Sequence, residues 1–319
     1  MRIGIFVAAA GRQASGPETY EHALLRALAS LDRETDYRVF CFNQAAADSF
    51  QIAQSNFQFE ILRPDIRWIS LPVSLPLALA RSGVELCHAT FVPPLRCPTP
   101  LMMTLHGSDM FVHPEFFQAG VRWRLNALLA LGFRRARLIV CVSQHVRDMV
   151  QQRFQVPDER LAVVYHGIDS AFRPVASDEA RAVVRERYGI TQPYVLYVGK
   201  IVASKNVPRL VEAFAGFRRA SGIDVQLVLA GKSYPGLNPI ADSVWRSSEE
   251  HGVLRVGQVP HQDLPPLYSG ALAFAFPSLW EGFGLPVVEA MACGVPVITS
   301  NNSCLPEVTG GAALLVNPH

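Results

Sequence analysis

The segment PSLWEGFGLPVVEAMACGVPV, residues 277–297, decides the fold class of this chain. It follows the apolar run Leu272–Phe276, which predicts a buried strand, and it leads into a second such run, Val295–Thr299. Between the two runs, Pro286–Cys293 predicts a helix, because proline is favoured at the first position of a helix. A strand, a helix and another strand in this order are typical of a parallel sheet with helical crossovers. The segment therefore predicts an α/β fold with a ligand-binding loop at the carboxyl end of a strand.

The same alternation occurs twice along the chain. In the first series we predict strands Arg2–Ala10, Tyr37–Phe42, Leu101–Leu105, Leu138–Val142 and Leu161–Tyr165, with helices Pro17–Leu31, Phe117–Arg135 and Gln144–Phe154. In the second we predict strands Tyr194–Val198, Val225–Ala230, Leu254–Val256, Leu272–Phe276 and Val295–Thr299, with helices Arg209–Arg219 and Pro286–Cys293. A break at Arg173-Pro174 separates the two series. We predict two Rossmann-like domains, 1–172 and 173–319, in preference to one long doubly wound sheet.

The composition excludes several classes of protein. Of the 319 residues, 50% are apolar and 18% are charged, so the chain has ample surface to bury and is not disordered. A net charge of +2 gives no reason to expect a nucleic-acid partner. The apolar stretch Leu125–Phe133 is too short to span a bilayer, and no signal peptide is apparent at the start. We therefore expect a cytoplasmic protein. With no C-x-x-C pair and no two aspartates one residue apart, we predict no metal site.

The first helix follows a glycine-containing loop, GRQASG at residues 11–16. Pro17 suits a first helical position, and Ser15 and Glu18 have the spacing of a capping box. Such a helix start can receive a phosphate, although an ordinary capped turn is an equal alternative. The loop is neither a P-loop nor G-x-G-x-x-G. The predicted apolar face of the helix comprises Tyr20, Ala23, Leu24, Ala27, Leu28 and Leu31.

Lysine is rare in this chain and its positions are informative. The chain has three, Lys200, Lys205 and Lys232, and each follows the end of a predicted strand in the second series. A lysine ammonium is suited to neutralising a diphosphate. The alternative is that these are surface lysines that flank loops by chance.

Two glutamates of segment 277–297 are candidates for ligand binding. Glu281 lies in the loop beside two glycines, which let backbone N–H groups approach a ligand closely. Glu289 is placed in the first turn of the predicted helix. The alternative is that Glu289 only complements the helix dipole and that Glu281 is solvated.

Taken together, these motifs resemble the family 4 retaining glycosyltransferases, which have the GT-B fold. Segment 277–297 resembles the family's E-x7-E motif, with Glu281 and Glu289 as its two glutamates. Other similar segments are Gly199-Lys200, Lys205-Asn206, Thr104-Leu105-His106-Gly107, Cys141-Val142-Ser143, 164–169 and the loop at Gly16. The resemblance implies two domains whose parallel sheets face each other across a cleft, with acceptor-side residues in 1–172 and donor-binding residues in 173–319. The chain ends soon after the predicted strand Ala312–Val316, so we expect the second domain to lack its last layer.

The resemblance also implies a role for each matching residue. Glu289 would hold the ribose of the donor, and Glu281 with the backbone of Phe283, Gly284 and Leu285 would hold the sugar hydroxyls. Lys200 and Lys205, next to Gly199, would neutralise the departing diphosphate, which Gly16 would approach from the other domain. His106 would lie against the donor sugar near the reacting carbon. No cofactor is implied, because the nucleotide-diphosphate sugar is a substrate, and no metal is needed.

The implied function is retaining transfer of a hexose, with mannose as the first candidate. The donor would be GDP- or UDP-linked, and the acceptor would be a hydroxyl of a glycan or a lipid-linked molecule in polysaccharide biosynthesis. The alternatives are a non-catalytic nucleotide-sugar-binding or scaffold protein, and another GT-B enzyme such as a sugar-nucleotide epimerase.

One further segment, 122–137, is both basic and apolar. It predicts a helix that could rest on an anionic membrane surface at the inner face of the membrane, where a lipid-linked acceptor would be met. A helix packed within the first domain is the alternative.

Overall fold

Two separate parallel sheets organise the computed structural model, which describes residues 1–11, 16–66, 69–107, 109–116, 119–233 and 252–319. The chain divides into two compact units. Unit 1 comprises Met1–Val112 and Gln118–His166, and unit 2 comprises His113–Phe117 and Gly167–His319. The alternative of one long sheet is therefore wrong. The predicted domain limit near residue 172 and the acceptor and donor roles of the two domains stay predictions.

Unit 1 contains the first sheet. Its strands within the described ranges are β1 (Arg2–Phe6), β2 (Asp36–Cys41), β3 (Phe57–Ile61), β4 (Leu86–Ala89), β5 (Leu101–Leu105), β6 (Leu138–Cys141) and β7 (Leu161–Val163). All neighbours pair in parallel, in the order β3-β2-β1-β4-β5-β6-β7. The helices are α1 (Gly16–Leu31), α2 (Gln44–Ser49), α3 (Leu75–Ser82), α4 (Asp109–Val112), α5 (Ala119–Arg135) and α6 (Gln144–Phe154). The strand order reverses between β1 and β4, which is where open α/β sheets bind their ligands.

Unit 2 repeats this arrangement with its own sheet. Its described strands are β8 (Tyr194–Val198), β9 (Gln226–Ala230), β10 (Val253–Gly257), β11 (Ala273–Phe276), β12 (Val297–Ser300) and β13 (Leu314–Val316). They pair in parallel in the order β10-β9-β8-β11-β12-β13. The helices are α7 (Ser177–Tyr188), α8 (Val207–Ser221), α9 (Leu264–Ser269), α10 (Leu285–Ala292) and α11 (Leu305–Thr309). Here the order reverses between β8 and β11, and the prediction of two Rossmann-like sheets is confirmed.

The central strands of each sheet are almost entirely apolar and buried. In unit 1 the core gathers around Ile5, Leu25 and Val39, and in unit 2 around Leu196, Leu229 and Phe274. This is expected of parallel sheets covered by helices on both faces, because their strands are shielded from water on each side. The rigid centre of each sheet holds the loops at its carboxyl edge in place.

The prediction for the apolar face of α1 is wrong for half of its members, whereas Tyr20, Leu24 and Leu28 are half-buried. Of the residues assigned to that face, Ala23, Ala27 and Leu31 are exposed, Leu31 to 84%. The buried residues are Glu21, Leu25 and Ala29, which are spaced four apart. A hydrophobicity count misses this stripe because one of its members is a glutamate.

Segment 122–137 lies mainly in α5. Its Trp123 is 73% exposed, and Arg124, Arg134 and Arg135 are also exposed. Leu129 and Phe133 of the same helix are buried, so the helix packs on unit 1 through one face. Among the described residues, no helix is both long enough and apolar enough to cross a membrane.

Candidate functional site

The loop after β8 carries the predicted donor residues Gly199 and Lys200, and its backbone is tightly held. The Gly199 N–H donates to the carbonyl of Ala230 at 2.9 Å. A Cβ added to Gly231 would lie 1.8 Å from the carbonyl oxygen of Gly199, so the close approach of these two backbones requires glycine at 231. The hydroxyl of the fully buried Tyr197 donates to the carbonyl of Lys200 at 2.8 Å. The backbone of Lys200 is therefore fixed at the carboxyl edge of the sheet.

The structure brings Lys205 and Glu281 together in an ion pair. Lys205 ends the 3₁₀ turn Ala203–Lys205 just before α8, and its Nζ lies 2.6 Å from Oε1 of Glu281. The two side chains are only 22% and 11% exposed. The Nζ also lies 5.9 Å from the ring centroid of Phe276, the last residue of β11. The alternative in which Glu281 is merely solvated is therefore wrong.

The loop that carries Glu281 is held by polar groups that the sequence analysis did not select. The N–H of Leu279 donates to the carbonyl of Ser204 at 3.0 Å. The side-chain amide of Asn302 donates to the carbonyl of Leu279 at 2.8 Å, and the N–H of Glu281 donates to Oγ of Ser303 at 3.2 Å. Asn302 and Ser303 follow β12, and a cluster of polar residues after a predicted strand was the available signal. These bonds fix Glu281 relative to Lys205.

The amino end of α10 is formed by the predicted donor residues Phe283, Gly284 and Leu285. Gly284 precedes the helix with φ 86°, a conformation that favours glycine, and a Cβ there would lie 2.8 Å from Cδ2 of Leu305. The N-cap residue is this glycine, which has no side chain with which to cap the helix. A helix start carries partial positive charge on its backbone N–H groups, which suits it to polar or anionic oxygens.

Glu289 lies in the second turn of α10, so its predicted place in the first turn is wrong. The side chain is buried, and its Oε2 accepts a hydrogen bond of 2.9 Å from the hydroxyl of Tyr268. Burial penalises the charged form and raises the pKa of the Glu289 carboxyl to about 7. Tyr268 was not predicted from the sequence, because it lies in α9, 21 residues away in the chain.

His106 follows β5 in unit 1 and is held by three neighbours. Its Nε2 lies 2.7 Å from the carbonyl oxygen of Thr90 and must donate, since a carbonyl only accepts. Its Nδ1 lies 3.4 Å from Nε2 of His166, and the two rings stack with centroids 5.3 Å apart. The ring of Tyr20 packs edge-on against the ring of His106, with the ring centroids 4.6 Å apart. Burial lowers the pKa of His106 to about 4, so the ring is neutral at pH 7 with its proton on Nε2.

His166 itself carried no prediction, although its segment 164–169 matches the family. Burial, reinforced by the neighbouring His106, lowers its pKa to about 3. Its Nε2 is then placed to donate to the lone pair on Nδ1 of His106. The two histidines are 60 residues apart in the chain and meet because β5 and the end of β7 reach the same edge of the sheet.

Gly16 is the first residue of α1. Ser15, the predicted cap of this helix, lies outside the described residues. Glu18 accepts a hydrogen bond of 2.8 Å from the N–H of Gly11, which joins the first turn of the helix to the first residue of the preceding loop. Gly16 and His106 belong to unit 1 and the other predicted site residues to unit 2.

Groups of three or more histidine, cysteine, aspartate or glutamate side chains that could hold a metal ion are absent from the described part of the chain.

Comparison with known proteins places the chain in a family. The sequence profile described as Glycosyltransferase Family 4 matches residues 14–172, and the profile described as Glycosyl transferases group 1 matches residues 181–319. The chain belongs to glycosyltransferase family 4, with the two profiles in succession along its length.

Among curated relatives, the chain is 33% identical over 220 residues to the O-antigen chain mannosyltransferase B of Escherichia coli, covering 68% of this chain and 57% of the relative. It is 27% identical over 251 residues to the O-antigen chain mannosyltransferase RfbU of Salmonella typhimurium, covering 79% and 65%. The match thus spans less than two thirds of the length of these relatives.

Solved structures share the fold at lower identity. HepE of Anabaena in complex with UDP-glucose superposes with a TM-score of 0.75 at 19% identity, covering 100% of this chain and 86% of that one. Sucrose-phosphate synthase of Thermosynechococcus elongatus superposes with a TM-score of 0.73 at 22% identity, with the same coverage. These likenesses confirm the GT-B fold class.

Proposed function

We propose that the chain is a retaining glycosyltransferase that moves a hexose from a nucleotide-diphosphate sugar to a hydroxyl of a glycan or lipid-linked acceptor. The observation that carries this proposal is the Lys205–Glu281 ion pair, held at the carboxyl edge of the unit 2 sheet beside the strand-order reversal. Family membership supports the reaction class. Mannose is proposed as the sugar because the two O-antigen relatives named above are mannosyltransferases.

In this proposal the diphosphate of the donor takes the place of Glu281 as the partner of Lys205. The leaving group gains negative charge as the sugar–oxygen bond breaks, so fixed ammonium groups stabilise the transition state more than the ground state. Lys200, whose backbone is fixed after β8, supplies the second ammonium group. These two lysines deliver the charge that a metal ion supplies in other transferases, and we expect activity to persist in a chelator.

The remaining predicted residues hold the donor at its two ends. Glu281, released from Lys205, accepts hydrogen bonds from the sugar hydroxyls, and the backbone of 283–285 at the amino end of α10 binds the same sugar. Glu289 accepts hydrogen bonds from the ribose through Oε1, beside the bond that Oε2 accepts from Tyr268. His106 contacts the donor sugar as a neutral imidazole. With a pKa of about 4 it is unprotonated at pH 7 and does not serve as a general acid.

The test is a donor panel with purified protein. GDP-mannose, UDP-glucose and other nucleotide sugars are incubated with and without candidate glycan acceptors, while release of nucleoside diphosphate and the anomeric configuration of the product are followed. The proposal expects release that depends on acceptor and retains the anomeric configuration. Tight nucleotide binding without release from any donor supports the non-catalytic alternative instead, and strict dependence on a divalent metal contradicts the proposed mechanism.

A further inference from the structure

A buried glutamate at the edge of the unit 1 sheet is not used by the mechanism above. Glu21 is fully buried on the inner face of α1. Its two carboxyl oxygens accept hydrogen bonds from three successive backbone N–H groups that follow β1: Ala8 at 2.8 Å, Ala9 at 3.1 Å and Ala10 at 2.7 Å. Within the described residues Glu21 forms no ion pair. A position that needed only packing would be apolar here, as Leu25 and Ala29 are on the same face.

The fourth partner of Glu21 connects it to His106. The hydroxyl of Thr90 lies 2.5 Å from Oε1 of Glu21 and 2.9 Å from the carbonyl oxygen of Phe6. The carbonyl of the same Thr90 accepts the 2.7 Å hydrogen bond from Nε2 of His106. One residue, fully buried after β4, therefore joins the carboxyl group to the imidazole.

The residue next to Glu21 reaches the same imidazole from another side. The ring of Tyr20 meets His106 edge-on, and its hydroxyl lies 3.1 Å from Oγ1 of Thr104, the residue two before His106. Oγ1 of Thr104 lies 2.8 Å from Nε2 of the buried His88. Two consecutive residues of α1 thus constrain His106, one through its ring and one through Thr90.

We propose that Glu21 is a positioning residue, which acts through Thr90 to hold His106 in one ring orientation and one tautomer. The bond to the Thr90 carbonyl fixes the proton on Nε2 and leaves the lone pair on Nδ1, and the carboxyl group of Glu21 fixes the backbone of Thr90. The same carboxyl group also fixes the backbone of Ala8–Ala10 after β1, through the three hydrogen bonds that it accepts from their N–H groups. Outer partners of this kind control the orientation of a functional histidine in many sites. The catalytic consequence of this proposal rests on the proposed contact between His106 and the donor.

Three variants separate positioning from simple stability. Glu21→Gln keeps the size of the side chain but replaces one acceptor oxygen with an NH₂ group, which cannot accept hydrogen bonds from the backbone N–H groups. Thr90→Val removes only the hydroxyl, and Thr90→Ser restores it. Tyr37→Phe is the matched control, because it removes a buried tyrosine's hydroxyl bond to Asp32 in the same unit with no connection to His106.

The direct measurement is the side-chain ¹H–¹⁵N spectrum of His106 in the full chain without substrate, assigned with His106→Gln. We expect the wild type to show the neutral Nε2–H tautomer with a slowly exchanging proton. Glu21→Gln and Thr90→Val should shift or broaden this signal, while Thr90→Ser and Tyr37→Phe leave it in place. Unchanged His106 signals in both Glu21→Gln and Thr90→Val, in folded protein, would overturn the proposal.

Kinetics with the best donor provide the second measurement. We expect kcat to fall about 10- to 100-fold in Glu21→Gln and Thr90→Val, with the KM for the donor changed less than about threefold, and to recover in Thr90→Ser. A loss of thermal stability that matches Tyr37→Phe, with kcat unchanged, overturns the catalytic part. If the wild type turns over no donor, the proposed function fails, and the spectrum still decides whether Glu21 positions His106.

Discussion

The two units place different chemistry at the carboxyl edges of sheets that share the same central strand order. At the edge of the unit 1 sheet, Glu21 is satisfied by backbone N–H groups and a hydroxyl, and the stacked histidines His106 and His166 are neutral. At the edge of the unit 2 sheet, Lys205 and Glu281 pair with each other while partly open to solvent. The fold therefore sets where functional groups stand, and the loops decide whether they are fixed internally or available for exchange with a ligand.

The largest expected effect comes from removing Lys205, whose partner Glu281 is proposed to be replaced by the donor diphosphate. Lys205→Ala removes an ammonium group that would stabilise the departing diphosphate, and we expect kcat to fall about 100- to 1,000-fold. Lys232→Ala is the matched control, because Lys232 is an exposed lysine of the same unit outside the proposed mechanism. Steady-state kinetics check both. Equal losses in the two variants would contradict a specific role for Lys205.

A second variant should distinguish the effect of Glu281 on the sugar from its effect on the diphosphate. Glu281→Gln removes the charge that neutralises Lys205 but keeps the size of the side chain. We expect turnover to fall about 10- to 100-fold, because the sugar loses a charged hydrogen-bond acceptor. The affinity for nucleoside diphosphate alone should rise about fivefold, because Lys205 is released from its partner. Calorimetry with the diphosphate measures the second effect, and weaker binding than in the wild type is the contrary result.

The raised pKa of Glu289 predicts a pH dependence of donor binding. The pKa of about 7 belongs to the protein without donor, and the ribose hydroxyls bind best to the ionised carboxylate. Affinity should therefore be full above about pH 8 and fall as the pH drops through 7, by about tenfold per unit well below the pKa. Glu289→Gln should weaken binding at pH 8 and flatten the profile between pH 6 and 8. A profile of unchanged slope in this variant assigns the titration to another group.

The smallest expected effect concerns the exposed face of α5 in unit 1. If segment 122–137 contacts an anionic membrane surface, each exposed arginine contributes about 1 kcal/mol near that surface, and the contact weakens with salt. We expect flotation with vesicles of anionic lipid at low salt, reduced in a variant combining Trp123→Ala, Arg124→Ala and Arg134→Ala. Vesicles of neutral lipid are the control. No flotation with anionic vesicles removes this surface from the account.

Periodic apolar runs made much of the fold predictable. β5 at Leu101–Leu105, β8 at Tyr194–Val198 and α6 at Gln144–Phe154 have the predicted bounds. The two strands are almost continuous apolar runs, and the few apolar residues of α6 recur with the period of a helix. The strands β3 and β4 were missed. β3 alternates glutamine and glutamate with its apolar residues, and β4 has only four residues, one of them the buried His88. Neither strand stands out from a loop by composition alone.

The residues of the candidate site could be selected from the sequence, but the contacts between their side chains could not. The resemblance selected Lys205, Glu281 and Glu289, while the ion pair and the bond from Tyr268 depend on distances that only the folded sheet sets. Glu21 was missed for a physical reason. A periodicity count assumes that the buried face of a helix is apolar, and a carboxylate can be buried there only when several donors from other elements surround it.

Titration calorimetry of GDP and UDP with the wild type and Lys205→Ala tests the central claim most directly. We expect that one of the two nucleotides binds the wild type, that binding weakens with salt, and that Lys205→Ala reduces the affinity at least about tenfold. If neither nucleotide binds the folded protein, or if binding is the same in both proteins, unit 2 does not hold a diphosphate as proposed.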